Sequence, residues 1–168
     1  MHRLPHAALA LLLMALLSAC TPEQIAAYSR HLDDQAGAQG AWVCPVQGAR
    51  SFTDTWGNSR SGGRRHQGTD IMSPRGTPVV ANVAGTVRGS SSSAGGVSYY
   101  LNGDDGVTYF GAHLDRFAGV TGRVEKGTVL GWVGNSGNAR GSSPHLHFEM
   151  NPGGRGAVNP YTTLAAHC

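Results

Sequence analysis

A chain of 168 residues has room for one domain of ordinary size, which can bury a hydrophobic core without depending on a metal or a disulfide. The 25 glycines disfavour long helices, and with only 14% charged residues the composition favours a turn-rich β domain. The net charge is only +3, and the one basic cluster (Arg60, Arg64 and Arg65) is too small to bind nucleic acid, which is excluded as a partner.

The first 19 residues predict a signal peptide. Arg3 precedes an apolar run from Ala7 to Leu17, which is too short to span a bilayer as a helix but is typical of the core of an export signal. The sequence Leu-Ser-Ala-Cys at 17–20 resembles a bacterial lipobox, in which Cys20 is acylated and becomes the first mature residue. Ordinary signal cleavage is the alternative. Either interpretation predicts export to the cell envelope, and the first adds a lipid anchor to a membrane, facing the outside or a periplasm.

Residues 20–40 are interpreted as a lipid-anchored tether, and residues 41–168 as the functional domain. Thr21, Pro22 and Gln24 match the N-cap, first-turn and reciprocal capping positions of a helix. A short helix is therefore expected here, but its apolar content is too slight for a core element.

Two cysteines remain if Cys20 is acylated. Cys44 opens the domain and Cys168 is the last residue of the sequence. An even pair in an oxidising compartment predicts a disulfide between them.

From Trp42 onward, short apolar runs alternate with turn residues, which predicts strands. The glycine- and aspartate-rich segment 102–106 is a strong hairpin signal between two of these runs. Parallel strands would need crossover helices, and no helical pattern separates the runs, so a mostly antiparallel β-sheet is expected. The candidate strands lie in 77–87 (two strands around residues 84–85), 96–101, 107–114, 128–133 and 145–150.

The first histidine pattern is His66-Gln67-Gly68-Thr69-Asp70. On a regular strand His66 and Asp70 would be about 13 Å apart, too far to share a metal ion. Gly68 permits a bend or bulge that would bring them together, and the glycines on either side of His66 argue against a helix.

The second pattern is His145-Leu146-His147. Residues two apart on a strand share a face, so the two imidazoles would stand together while Leu146 points into the core. Such a pair suits a zinc site, although an isolated His-x-His pair is more often two surface histidines on a solvated strand face. Two imidazoles and one carboxylate would leave the fourth tetrahedral position to water, which is typical of catalytic zinc.

Five segments together resemble the lysostaphin and LytM-type zinc metallopeptidases of bacterial peptidoglycan. The likeness covers roughly residues 42–164, and each short motif is weak alone but the ordered set is specific. The segments are 56–71, 83–87, 131–137, 144–149 and 158–161.

The resemblance implies a zinc site in a groove of the β-sheet domain. His66, Asp70 and His147 match the zinc ligands of the family, while His145 and His113 match its catalytic histidines beside the metal. Glu149 shares the strand face of His147 by parity, and a plain structural role and a supporting role both stay open.

The implied function is zinc-dependent hydrolysis of peptide cross-links or bridges in peptidoglycan by a monomeric enzyme. A lipoprotein that binds peptidoglycan and regulates another wall hydrolase without cutting is the main alternative, and a periplasmic zinc-binding protein is another. The three arginines before His66 would either receive substrate carboxylates or form a solvated loop.

We expect the mature protein to fractionate with membranes and to carry an acylated N-terminal Cys20, because this residue ends the lipobox-like sequence. Cys20→Ala should leave the protein unprocessed or move it to the soluble fraction. Mass spectrometry of the mature N-terminus checks this, and an unmodified N-terminus at another residue would contradict it.

Overall fold

The computed structural model describes residues 42–168, together with Thr21 and Glu23. The predicted signal peptide, Cys20 and most of the tether therefore lie outside the described residues. Within the described part, no helix is long and apolar enough to cross a membrane.

The described domain is built on one antiparallel sheet of eight strands, as expected from the sequence. Neighbouring strands follow the order β1-β8-β5-β4-β3-β6, while β2 pairs with β7 and β7 pairs with β5. The strands are β1 (Thr69–Met72), β2 (Pro78–Val80), β3 (Gly85–Ser92), β4 (Gly96–Gly103), β5 (Val107–Phe117), β6 (Gly122–Val124), β7 (Val129–Val133) and β8 (His145–Pro152). Two 3₁₀ turns (Ser61–Gly63 and Gly137–Ala139) and a C-terminal helix, α1 (Tyr161–His167), complete the described elements.

The predicted hairpin is present, since Asn102 pairs with Thr108 across the turn between β4 and β5. The apolar pattern failed for elements that are short or polar. It missed β1, β6 and α1, and it ended β3 too early because the second half of that strand is polar and mostly exposed. That half pairs with β4 through backbone hydrogen bonds, which leave no periodic hydrophobic signal.

Strand β5 bends at His113 and joins two parts of the sheet. Before the bend it pairs with β8, and from Leu114 onward it pairs with β7, with a register shift between Leu114 and Arg116. Its pairing with β4 extends across the bend as far as Leu114. His113 has a φ of 66°, a left-handed conformation that is uncommon for a residue with a side chain. The bend therefore sets the direction of the His113 side chain at the centre of the sheet.

Strand β8 separates the core from the opposite face of the sheet. Leu146 and Phe148 are fully buried, as the strand parity predicted for Leu146. Burying a side chain of this size contributes roughly 1.5–3 kcal/mol. The alternate residues, His145 and His147, line the groove on the other face.

A disulfide joins Cys44 to Cys168 with a Cα–Cα distance of 5.0 Å, as predicted. The segment that carries Cys44 pairs with β2 through Val46 and Val79. At the other end, the backbone carbonyl of Cys168 accepts a hydrogen bond of 2.7 Å from Arg50. The bond therefore fastens both ends of the described domain to each other.

Replacing both cysteines, Cys44→Ser with Cys168→Ser, should lower the free energy of unfolding by about 2–4 kcal/mol. The reason is that the bond spans a sequence separation of 124 residues and restricts the unfolded chain. Urea unfolding of the double variant checks this against Cys20→Ser, which removes a cysteine that the predicted pair does not use. Equal midpoints for the double variant and the parent would contradict the prediction.

Candidate metal centre and its groove

The chain bends at Gly68, which lets His66 and Asp70 approach each other as the sequence suggested. Nε2 of His66 lies 3.0 Å from Oδ1 of Asp70. Gly68 is buried against β8, where a Cβ atom would lie 2.5 Å from the carbonyl oxygen of Phe148 and 2.8 Å from the ring of His147. A glycine is thus needed here because the backbone approaches β8 too closely to leave room for a side chain.

The register of the sheet brings the third group to the same point. In the β1–β8 ladder Asp70 stands directly opposite His147, and directly opposite residues have neighbouring side chains. Nδ1 of His147 lies 3.0 Å from Oδ1 of Asp70 and 2.9 Å from Nε2 of His66. The three donor atoms therefore form a triangle with nearly equal sides.

In each imidazole of the triangle, the nitrogen that faces away from it forms a hydrogen bond, so that the other nitrogen presents its lone pair to the triangle. Nδ1 of His66 donates to the carbonyl of Thr55 at 2.8 Å, so Nε2 keeps its lone pair in the neutral ring. Nε2 of His147 donates to Oε1 of Glu149 at 2.9 Å, so Nδ1 keeps its lone pair. Two imidazole lone pairs and a carboxylate facing one another demand a proton or a cation between them.

The donor set fits Zn²⁺. Ligand atoms bound tetrahedrally at about 2.0–2.1 Å from zinc lie about 3.3 Å from one another, close to the spacing of this triangle. Nitrogen and carboxylate oxygen are among the ligands that zinc prefers, and three protein ligands are typical of catalytic zinc. His66, Asp70 and His147 therefore suit this ion in both chemistry and spacing.

The electrostatics of the cluster match a site for a cation. Burial by itself would raise the pKa of Asp70, but hydrogen bonds and charge from His147 and His66 hold it well below its usual range. Burial would lower the pKa of His147, yet its hydrogen bonds to Asp70 and Glu149 raise it above its ordinary value. The cluster thus keeps a carboxylate anion and attracts positive charge next to it.

Two more side chains hold the metal-site residues in place. Nη2 of Arg60 donates to Oδ2 of Asp70 at 2.6 Å, which leaves Oδ1 for the cluster. The hydrogen bond from Nε2 of His147 to Glu149 fixes the orientation of the His147 ring. Of the two roles that the sequence left open for Glu149, this contact favours the supporting one. Contacts of this kind orient ligands and tune a metal site.

His145 and His113 border the triangle without joining it. Their ring centroids are 5.0 Å apart, and the His113 ring lies 5.9 Å from that of His147. Nδ1 of His145 donates to the carbonyl of Ser143 at 2.8 Å, and Nδ1 of His113 donates to that of Ser136 at 2.9 Å. Each neutral ring therefore keeps Nε2 as a hydrogen-bond and proton acceptor. Burial lowers the pKa of His113 to about 4, so this ring is neutral at pH 7.

All five predicted site residues line one open groove of about 990 Å³. One wall is the hairpin that carries Arg60, Arg64 and Arg65. The other wall comes from the turn between β3 and β4 and from the segment 138–143. A groove of this size and openness is large enough to bind a segment of extended peptide.

The five side chains predicted from the sequence come together at the groove, but sequence reasoning missed the groups that orient them. The carbonyls of Thr55, Ser136 and Ser143 fix three of the imidazole rings, and backbone acceptors leave no mark in the sequence. Arg60 was noticed only as part of a basic cluster, because its pairing with Asp70 depends on the folded path of the hairpin.

Comparisons with known proteins relate this domain to a peptidase family. Residues 64–160 match the sequence profile of peptidase family M23. The chain is 38% identical over 98 residues to the DD-carboxypeptidase/endopeptidase Mpg of Neisseria meningitidis, covering 58% of this chain and 22% of that protein. It is 36% identical over 140 residues to the L-Ala--D-Glu endopeptidase of Bacillus subtilis, covering 75% of this chain and 43% of that protein. The chain thus spans less than half the length of either relative.

Solved structures resemble the domain in fold as well. The catalytic domain of lysostaphin, an antimicrobial peptidase from Staphylococcus simulans, superposes with a TM-score of 0.61 at 29% identity. The match covers 69% of this chain and 92% of that domain.

We expect Ala substitution of His66, Asp70 or His147 to abolish stoichiometric zinc binding, because each residue supplies one of the three converging donor atoms. His145→Ala and His113→Ala are the matched controls and should bind zinc at the parental stoichiometry. Elemental analysis of the purified, dialysed proteins measures this. Loss of zinc in His145→Ala would contradict the division between the triangle and its neighbours.

Proposed function

The chain belongs to peptidase family M23, and we propose that it is a zinc-dependent endopeptidase that hydrolyses peptide cross-links or bridges of bacterial peptidoglycan. The observation that carries the proposal is the triangle of His66, Asp70 and His147, bordered by two more histidines with free acceptor nitrogens. A protein that only binds peptidoglycan needs neither part of this arrangement.

We assign His66, Asp70 and His147 as the ligands of the ion. When bound there, Zn²⁺ supplies Lewis-acid chemistry, since it lowers the pKa of a bound water and polarises a carbonyl oxygen. Hydrogen bonds from Arg60 to Asp70 and from His147 to Glu149 keep these two ligands oriented, so that their donor atoms need little rearrangement when the ion binds.

His145 and His113 are assigned the proton transfers. Hydrolysis of a peptide bond requires that the attacking water lose a proton and that the leaving amine gain one. Both rings line the groove with Nδ1 bonded to a backbone carbonyl, so either can use Nε2 to accept a proton or to hold a water in place. After transfer, the protonated ring can donate to the leaving amine or to the developing oxyanion.

The groove supports a peptide of an extended polymer as the substrate. The groove is open and is lined by turns and by charged side chains. Both features suit an extended peptide chain. The relatives named above act on peptide bonds according to their names, which supports the same bond type for this chain.

We further propose that the protein works in the cell envelope. Under this proposal residues 1–19 are a lipoprotein signal peptide, residues 20–40 tether the domain to acylated Cys20, and residues 41–168 form the peptidase domain. The tether would allow the groove to reach the wall from the membrane surface, with the domain acting as a monomer.

Replacing either proton-transfer residue should reduce turnover without removing the metal. For His145→Ala and His113→Ala we expect kcat to fall by about 10²–10⁴, the usual contribution of a positioned acid or base, at unchanged zinc stoichiometry. Digestion of purified peptidoglycan, with products identified by mass spectrometry, measures the loss. His167→Ala, which removes an exposed histidine outside the groove, is the matched control and should retain parental turnover.

Two results would contradict the assignment. If the zinc-loaded parent releases no peptide fragments from any peptidoglycan although it binds the polymer, the protein is a silent wall-binding regulator. If His113→Ala digests peptidoglycan at the parental rate, the proton transfers belong to His145 alone.

A further inference from the structure

One wall of the groove is a basic hairpin, residues 59–65, whose charges the proposed chemistry does not use. Ser59 pairs with Arg65 across the hairpin, and the backbone N–H of Arg60 donates to the carbonyl of Arg64 at 2.9 Å. A 3₁₀ turn, Ser61–Gly63, closes its tip. The fold thus holds three guanidinium groups at the edge of the groove.

The three arginines differ in their partners. Arg60 is paired with Asp70, as described above. Among the residues that the structure describes, no carboxylate forms an ion pair with Arg64 or Arg65. In this part of the chain, the side-chain hydrogen bonds of Arg64 go to the carbonyl and hydroxyl oxygens of Ser61, and those of Arg65 to the carbonyl of Gly57 and the hydroxyl of Ser59. Both side chains are exposed and retain free N–H donors.

Nothing else along the described groove balances this charge. The two acids in its lining, Asp70 and Glu149, are already held by His66, His147 and Arg60. The lining from the β3–β4 turn and from the segment 138–143 carries no charge; it consists of Ser92, Ala94, Gly95, Asn138, Ala139, Ser142 and Ser143. A groove with one cationic wall concentrates field at its mouth and favours an anionic ligand.

We propose that Arg64 and Arg65 bind a free carboxylate of the peptide, so that the enzyme selects substrates with an acidic group beside the scissile bond over neutral bridges. This inference rests on the proposed function and names its substrate class. Arginine suits the role because its planar N–H donors match the two oxygens of a carboxylate. Arg60 lies nearest to the metal-site residues, and its pairing with Asp70 leaves recognition to the other two.

The carboxylate could belong to an acidic side chain or to the C-terminus of the peptide, and the chemistry of recognition is the same. Three matched synthetic peptides, joined by the bond that the enzyme cuts, separate these sources. One carries a free side-chain carboxylate with an amidated C-terminus, one carries the reverse, and one is amidated at both places.

We expect kcat/KM for one of the acidic peptides to exceed that for the fully amidated peptide by about 10-fold, a usual contribution of a charge-assisted contact at a partly exposed site. The preference should shrink at high salt, because exposed charges are screened. In the double variant Arg64→Gln with Arg65→Gln the ratio should fall to about 1, and Arg64→Lys with Arg65→Lys should restore part of it. Arg155→Gln, an exposed arginine outside the groove, is the control and should keep the parental ratio.

Equal kcat/KM for all three peptides, or a preference that survives in the double glutamine variant, overturns the proposal. If the zinc-loaded parent cuts none of them or any peptidoglycan, it is the proposed function that fails. Equilibrium binding of the same peptides then decides the inference on its own: about 10-fold tighter binding of an acidic peptide supports it, and equal affinities overturn it.

Discussion

The rest of the structure depends on two imidazole lone pairs and a carboxylate that are held facing one another. Nε2 of His66 and Nδ1 of His147 lie 2.9 Å apart, a separation that is repulsive for two bare acceptors. The protein creates this arrangement by using the outer nitrogen of each ring for a hydrogen bond, to Thr55 and to Glu149. Only a positive charge at the centre relieves the repulsion, so the surrounding contacts preorganise a cation site.

The sheet supplies the positions, since strand parity and register decide which side chains meet. Asp70 and His147 face each other because β1 and β8 pair in one register, and a slip by one residue would turn His147 into the core. The pairing of β5 with β8 puts Ala112 of β5 opposite His147. The next residue, His113, lies at the bend of β5. Its left-handed conformation is a strain of the kind that is stored at functional sites, where the surrounding structure enforces it.

This dependence on register explains which features could be predicted from the sequence. The period of two in the sequence predicts that His145 and His147 share one strand face, and the structure agrees: both line the groove, while Leu146 and Phe148 lie in the core. The bend at Gly68 followed from a distance argument, but its tight packing against Phe148 did not, because that contact joins residues far apart in the chain. Helix α1 and strand β6 were missed because short elements stabilised by tertiary contacts carry little local pattern. The pairing of Arg60 with Asp70 required the path of a hairpin that no motif describes.

The pairing of Arg60 with Asp70 also links the metal centre to the charge of the groove. A dication bound at the triangle would contact one carboxylate, that of Asp70. The second oxygen of this carboxylate already pairs with the guanidinium group of Arg60. The loaded centre therefore stays net positive, and the free guanidinium groups of Arg64 and Arg65 add to it along one wall. A metal ion bound there would add to this positive potential, which favours an acidic peptide in the groove. A hairpin that served only as a solvated surface loop would not need to place its charges along the groove. We therefore assign these charges a role in substrate binding.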